Sequence, residues 1–283
     1  MATPNMGEHS AGPTVRQRGL ATLPLLVPGL AGLAYLALFG APQNYVMINA
    51  GALAAGLVWV AFGRLPSSTI ATRISAIALV ALLALPVLTG PHIAGLSRWL
   101  TVGGFTLHVG LMVIPLIAVL AASDEQIGPY TVLAAMGVTV IQPDAASTMA
   151  LTGAAFGLAL AAHDRRAAVL GALGLLATAW ASLSSNLSPQ PFVERVIPDL
   201  WSTAPIAAVL LALSLVASLT LILRASGAAR SAKFALAGSM AGFTLAALIG
   251  DYPTPLIGYG AASIIGLGLA LPGLRRSRSR VLL

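Results

Sequence analysis

The stretch Pro129-Tyr130-Thr131-Val132-Leu133-Ala134-Ala135-Met136-Gly137-Val138-Thr139-Val140-Ile141, continuing through Gln142-Pro143-Asp144 into Ala145-Ala146-Ser147-Thr148, decides the fold. The apolar run before Gln142 is short for a membrane span, and only the polar triplet separates it from the next run. Either the triplet is a tight turn between two spans, or the whole stretch is one long buried helix kinked at its proline. The first gives an even number of spans and the second an odd number, so the placement of charge along the rest of the chain separates them.

Working outward, apolar runs lie at 20–39, 45–63, 74–89 and 105–122 before the stretch at 129–141, and at 145–162, 167–183, 202–223, 234–250 and 256–274 after it. With 58% hydrophobic and 8% charged side chains and a mean hydropathy of +0.91, the 283 residues cannot present a water-exposed surface, since soluble domains carry about 25% charged residues. Ten spans of about 20 residues use about 200 residues, which leaves short loops and no room for a separate soluble domain. The runs are apolar on all faces and rich in Ala, Leu and Gly, without the alternating polarity of barrel strands. The expected fold class is all-α, a polytopic membrane protein with about ten transmembrane helices. A polar, disordered leader over 1–19, one transmembrane domain over 20–274 and a basic tail over 275–283 complete the expected organisation. Arg16 and Arg18 before the first run also suit a signal sequence, but the length of that run and the early start of the next favour a retained span.

With ten spans and a cytoplasmic N-terminus, Arg16, Arg18, Arg64, Arg73, Arg165, Arg166, Arg224, Arg230, Lys233, Arg275, Arg276, Arg278 and Arg280 fall inside, 13 of the 15 basic residues. Only Arg98 and Arg195 fall outside, as the positive-inside rule expects. An odd count would scatter the basic groups over both sides, so the turn at Gln142-Pro143-Asp144 is preferred, with both termini cytoplasmic. The formal charge of +7 then reflects topology and attraction to anionic lipid, not a nucleic-acid partner. The chain has no cysteine, which removes disulfides, thiolate metal sites and cysteine nucleophiles. Gly238 with Gly242, and Gly266 with its small neighbours, suit close helix packing.

The outer face carries His92, Arg98, Asp144, Glu194, Arg195, Asp199 and Asp251, with its four carboxylates contributed by three loops. Such residues either solvate loop ends or converge on a polar cavity. In Ser97-Arg98-Trp99-Leu100 an indole sits where tryptophan anchors at headgroup depth, beside a guanidinium able to hold phosphate as a fork. Asp144 precedes a helix and can cap it. His108 in the fourth run reads as a neutral packing residue, and His163-Asp164-Arg165-Arg166 as a short charged turn with an incomplete metal-ligand set.

Three ordered stretches bring out a resemblance. Arg98-Trp99 after the third run, Gln142-Pro143-Asp144 with Thr148 at the fifth-to-sixth turn, and Pro253-Thr254-Pro255-Leu256-Ile257-Gly258-Tyr259-Gly260-Ala261-Ala262-Ser263 before the last run resemble the shape, elongation, division and sporulation (SEDS) family. This is the RodA and FtsW group of bacterial peptidoglycan polymerases, and the resemblance spans about 20–276. It implies a multi-pass protein of the bacterial cytoplasmic membrane that acts in cell-wall synthesis, cell shape or division. The implied activity is glycosyl transfer from undecaprenyl-linked disaccharide-pentapeptide, with a penicillin-binding protein or another divisome or elongasome protein as membrane partner. By the same resemblance Asp199 is the general base, Arg98 holds the pyrophosphate and Trp99 the lipid end. Asp144, Glu194, Arg195 and Tyr259 complete the substrate-binding set. No cofactor is implied for a donor already activated, although Asp144 could hold a divalent cation.

The departures bear on activity. The loop before the eighth run shrinks to about 184–201, and Asp199 lies one residue off the family spacing from Glu194. The fourth run reads Leu107-His108-Val109-Gly110-Leu111 where the family carries an intramembrane glutamate and lysine. Charges at that depth cost on the order of 2.5 to 3.5 kcal/mol on insertion scales and usually mark function, so their loss points to altered or lost chemistry. A non-catalytic relative that binds a lipid-linked precursor or an envelope partner is the alternative. A small-molecule transporter is disfavoured because the polar residues collect at the outer ends rather than at mid-membrane.

Overall fold

The computed structural model describes residues 15–93, 95–183 and 187–275, with side chains from residue 20 onward. Most of the leader and of the basic tail therefore lie outside the described residues. Helices α1 (Val15–Leu38), α2 (Gln43–Phe62) and α3 (Thr69–Thr89) precede a hairpin of β1 (Trp99–Val102) and β2 (Phe105–His108). Then come α4 (Val109–Ala122), α5 (Gly128–Ile141), α6 (Ala145–Ala162), α7 (Arg165–Ser182), α8 (Val196–Thr203), α9 (Pro205–Leu223), α10 (Arg230–Ile249) and α11 (Ala261–Ala270), which continues into a 3-10 turn at Leu271–Leu274. Every apolar run identified in the sequence holds a helix, so the chain is an all-α polytopic membrane protein. Among the described residues six helices, α1, α2, α3, α6, α9 and α10, are long and apolar enough to cross a membrane. Residues 109–122, 128–141 and 261–274 form shorter apolar helices.

Gln142-Pro143-Asp144 is a turn between two helices. Asp144 ends it as the N-cap of α6, its Oδ1 accepting from the Ser147 N–H at 3.1 Å, which satisfies one of the orphan donors of the first helical turn. Gln142 Nε2 donates to the Leu83 carbonyl of α3 at 2.6 Å, and Thr148 Oγ1 donates to Thr139 Oγ1 at 3.0 Å. The turn is thus bonded to its neighbours in an interior where an unpaired amide is costly.

α10 stands between two apolar cores. Phe243 and Ala235 join a cluster that includes Leu83, Ile114 and Leu151, whereas Leu236 and Met240 join one that includes Leu25, Leu53 and Ile264. α6 and α10 approach closely because Gly153 and Gly238 face each other, and a Cβ on either would run into the carbonyl of the other. Gly242 lies in the same way against Met149, and Gly266 of α11 against Leu111 of α4. The small residues picked out in the sequence therefore do pack helices together. Large exposed apolar side chains such as Phe62, Leu176, Trp180, Ile206 and Ile249 suit a surface that faces hydrocarbon.

Three local expectations are corrected. Residues 105–108 form a strand and not the start of a helix, because Gly103 (φ 56°) and Gly104 (φ 83°) turn the chain into a two-residue hairpin, the conformation that primed turns require. The loop before α9 contains α8, which buries Val196, Ile197 and Leu200. The last helix begins at Ala261, and the segment before it is an ordered loop.

The loops gather at two ends of the bundle. At one end Arg73 pairs with Asp124 at 2.7 Å, Arg166 Nη2 donates to the Glu125 carbonyl at 3.0 Å and Arg275 Nη1 to the Gly63 carbonyl at 2.9 Å. The other end carries the hairpin, the α5–α6 turn and the loops after α7 and α10.

Candidate functional site

At the hairpin end, chain order brings Arg98, His108 and Asp144 together. Trp99 pairs with His108 across the hairpin and the Val109 N–H donates to the Arg98 carbonyl at 3.1 Å, so Arg98 and His108 flank its base. The Asp144 carboxylate lies between them, Oδ1 at 3.8 Å from Arg98 Nη1 and Oδ2 at 3.5 Å from His108 Nε2. These are electrostatic contacts longer than good hydrogen bonds. His108 also caps α4, its Nδ1 accepting from the Leu111 N–H at 3.3 Å, which leaves Nε2 as the ring nitrogen that faces Asp144. Gly110 permits the approach of α4 to α6, since a Cβ there would collide with Ser147 Oγ. The Arg98 guanidinium is covered by the Trp99 ring at 4.6 Å and the Tyr252 ring at 5.7 Å.

A second group lies at the surface. Arg195 pairs with Asp199 at 3.3 Å and with Asp251 at 3.4 Å, which links α8 to the loop after α10. Beside it the loops before α8 and α11 are stitched together. Glu194 pairs with Pro253, the Thr254 N–H donates to the Val193 carbonyl at 2.9 Å, and the Val196 N–H donates to Thr254 Oγ1 at 3.2 Å. Asn49 of α2 braces the second loop, Nδ2 donating to the Gly258 carbonyl and Oδ1 accepting from the Gly260 N–H, both at 3.0 Å. Tyr259 stacks on Tyr45 with centroids 3.6 Å apart.

Between the hairpin and these loops lies a cavity of about 490 Å³, lined among others by Trp99, His108, Gln190, Glu194, Thr254 and Tyr259. Of the residues singled out from sequence, Trp99, Glu194 and Tyr259 reach it. Arg98 and Asp144 are buried and are not among its lining residues, and neither are Arg195, Asp199 and Asp251. Burial raises the Glu194 carboxyl above its ordinary range, against the opposing pull of the Gln190 N–H and of Arg98. No group of three His, Cys, Asp or Glu able to hold a metal occurs among the described residues, and Arg98 already faces Asp144. Sequence reasoning missed His108 as a cap and a cavity residue, and missed Asn49. A lone Asn inside an apolar span was the available signal for Asn49.

No family model and no curated protein matches the chain. Solved structures do. The rod shape-determining protein RodA of Thermus thermophilus has 19% sequence identity and a TM-score of 0.63, over 91% of this chain and 96% of that one. An aspartate-to-alanine mutant of the same protein has 20% identity and a TM-score of 0.62 over the same shares. The chain therefore has a RodA-like fold, the one that the sequence motifs pointed to.

Proposed function

We propose that this chain is a SEDS-like membrane protein of bacterial cell-wall synthesis, seated in the cytoplasmic membrane with the hairpin end outward and both termini inside. In this reading it binds a lipid-linked disaccharide-pentapeptide in the cavity at its outer end. The observation that carries the reading is that cavity of about 490 Å³, set where three loops converge on a fold shared with RodA over 91% of the chain. Its half-buried carboxylate, aromatic rings and amide suit a large amphipathic ligand.

The reaction proposed for the site is glycosyl transfer at the outer face, beside a penicillin-binding protein or another divisome or elongasome partner. By the SEDS resemblance Asp199 draws the proton from the acceptor hydroxyl as the new C–O bond forms and the donor's anomeric C–O bond to the diphosphate breaks, the diphosphate leaving on its lipid carrier. Purified protein given labelled lipid-linked precursor, with and without a partner penicillin-binding protein, is expected to form glycan polymer, and Asp199→Asn to reduce the rate at least about 100-fold. A non-catalytic, precursor-binding role is the second reading. It is favoured by Asp199 standing exposed beside Arg195 and away from the cavity lining. Saturable precursor binding without polymer under both conditions would establish that second role.

A further inference from the structure

We infer that the outer cavity is a subsite for the uncharged sugar portion of a ligand, with the Glu194 carboxylate accepting sugar hydroxyl protons in hydrogen bonds, and that a diphosphate is not held there. The inference deepens the proposed function and rests on its placing of a glycan precursor at this end.

The lining decides the chemistry. Among the described residues that line the cavity, Glu194 is the one carboxylate, and no lysine or arginine is present. A diphosphate brought into a half-enclosed space beside a carboxylate, with no lining cation to offset it, meets repulsion strengthened by the lowered dielectric. Arg98 is felt by Glu194 through the cavity wall, but its guanidinium does not line the cavity, being buried beneath Trp99 and facing Asp144 at 3.8 Å, so it offers a diphosphate no direct contact. Sugar hydroxyls find what they need instead: a carboxylate acceptor, the amide of Gln190, the hydroxyls of Thr254 and Ser263, and the Trp99 ring as an apolar platform.

The carboxylate is also held in place. Its Oε2 accepts from the Gln190 N–H at 2.5 Å, which among the described residues is its one hydrogen bond. Its backbone is bridged to Pro253. One oxygen is thus spent on fixing the side chain and the other is left for a ligand. Asp199, by contrast, is paired with Arg195 outside the cavity. Desolvation of Glu194 makes it a stronger acceptor than a fully hydrated carboxylate.

The test is calorimetric titration of the detergent-purified full chain with two soluble probes, a β-1,4-linked N-acetylglucosamine tetrasaccharide and inorganic pyrophosphate. The expected result is saturable binding of the sugar, no competition by pyrophosphate, and about tenfold weaker sugar binding in Glu194→Gln. Trp99→Ala, on a different element, should weaken it comparably, so that misfolding of one variant does not decide the matter. Glu125→Gln at the opposite end should bind as the wild type does. Displacement of the sugar by pyrophosphate, sugar affinity unchanged in both cavity variants, or no saturable sugar binding overturns the inference. Sugar binding by a protein that forms no polymer leaves the subsite standing and removes only the transferase reading.

Discussion

Two groups of three ionisable side chains lie at the same end of this bundle, and they differ almost entirely in burial. The Asp144, Arg98 and His108 side chains are 0%, 1% and 6% exposed, whereas those of Asp199, Arg195 and Asp251 are 60%, 38% and 41% exposed. The distances within the two groups are similar, so distance does not set their energetic weight. Removing one member of a buried pair strands the other charge without water and typically costs about 3–5 kcal/mol. An exposed pair is screened and is worth about 0–1 kcal/mol. The buried group therefore fixes architecture, holding the base of the hairpin to the N-termini of α4 and α6. The exposed group can be rearranged at small cost when a ligand or partner arrives.

The sharpest way to break this contrast is Asp144→Ala. It strands Arg98 and removes the α6 cap, and it should destabilise the protein by about 3–5 kcal/mol, measured by denaturant unfolding in detergent. A loss under about 1 kcal/mol would mean that the buried group carries no structural weight. Gly110→Ala should cost less, about 1–3 kcal/mol by the same measurement, because its Cβ would be driven onto Ser147. Adding Ser147→Gly should recover part of that loss. Arg195→Ala should stay within about 1 kcal/mol of wild type, since both of its pairs are open to solvent. A cost equal to that of Asp144→Ala would erase the distinction between the two groups.

Much of this arrangement was legible in the sequence, for identifiable reasons. Apolar runs long enough to bury their own backbone polar groups mark helices wherever they occur. The turn at Gln142-Pro143-Asp144 was fixed by the sidedness of arginines far from it, because span number and charge placement are linked. The β-hairpin was missed although Gly103-Gly104 between Thr101-Val102 and Phe105-Thr106 is a local hairpin signal. The longer apolar run that begins at Phe105 masked it. α8 was missed for a similar reason. Val196, Ile197 and Leu200 have helical spacing, but Pro198 and the charges around it read as loop. The division of the charges at the hairpin end into a buried and an exposed group was not legible, since it depends on how the hairpin folds back onto α6, a contact between residues far apart in sequence. The resemblance supplied Arg98 and Asp144 as site residues. Only the fold places them behind the cavity wall, with Trp99, His108 and Glu194 at its surface.

The most direct test of the account is site-specific photocrosslinking of lipid-linked disaccharide-pentapeptide to the full chain in detergent. A photoreactive phenylalanine analogue would be placed either at Phe105, which lines the cavity at the hairpin end, or at Phe62, exposed at the opposite end of the bundle. The account predicts a saturable adduct at Phe105 that is competed by unlabelled precursor, and none of that kind at Phe62. Equal labelling at both positions, or saturable labelling at Phe62 alone, would contradict it.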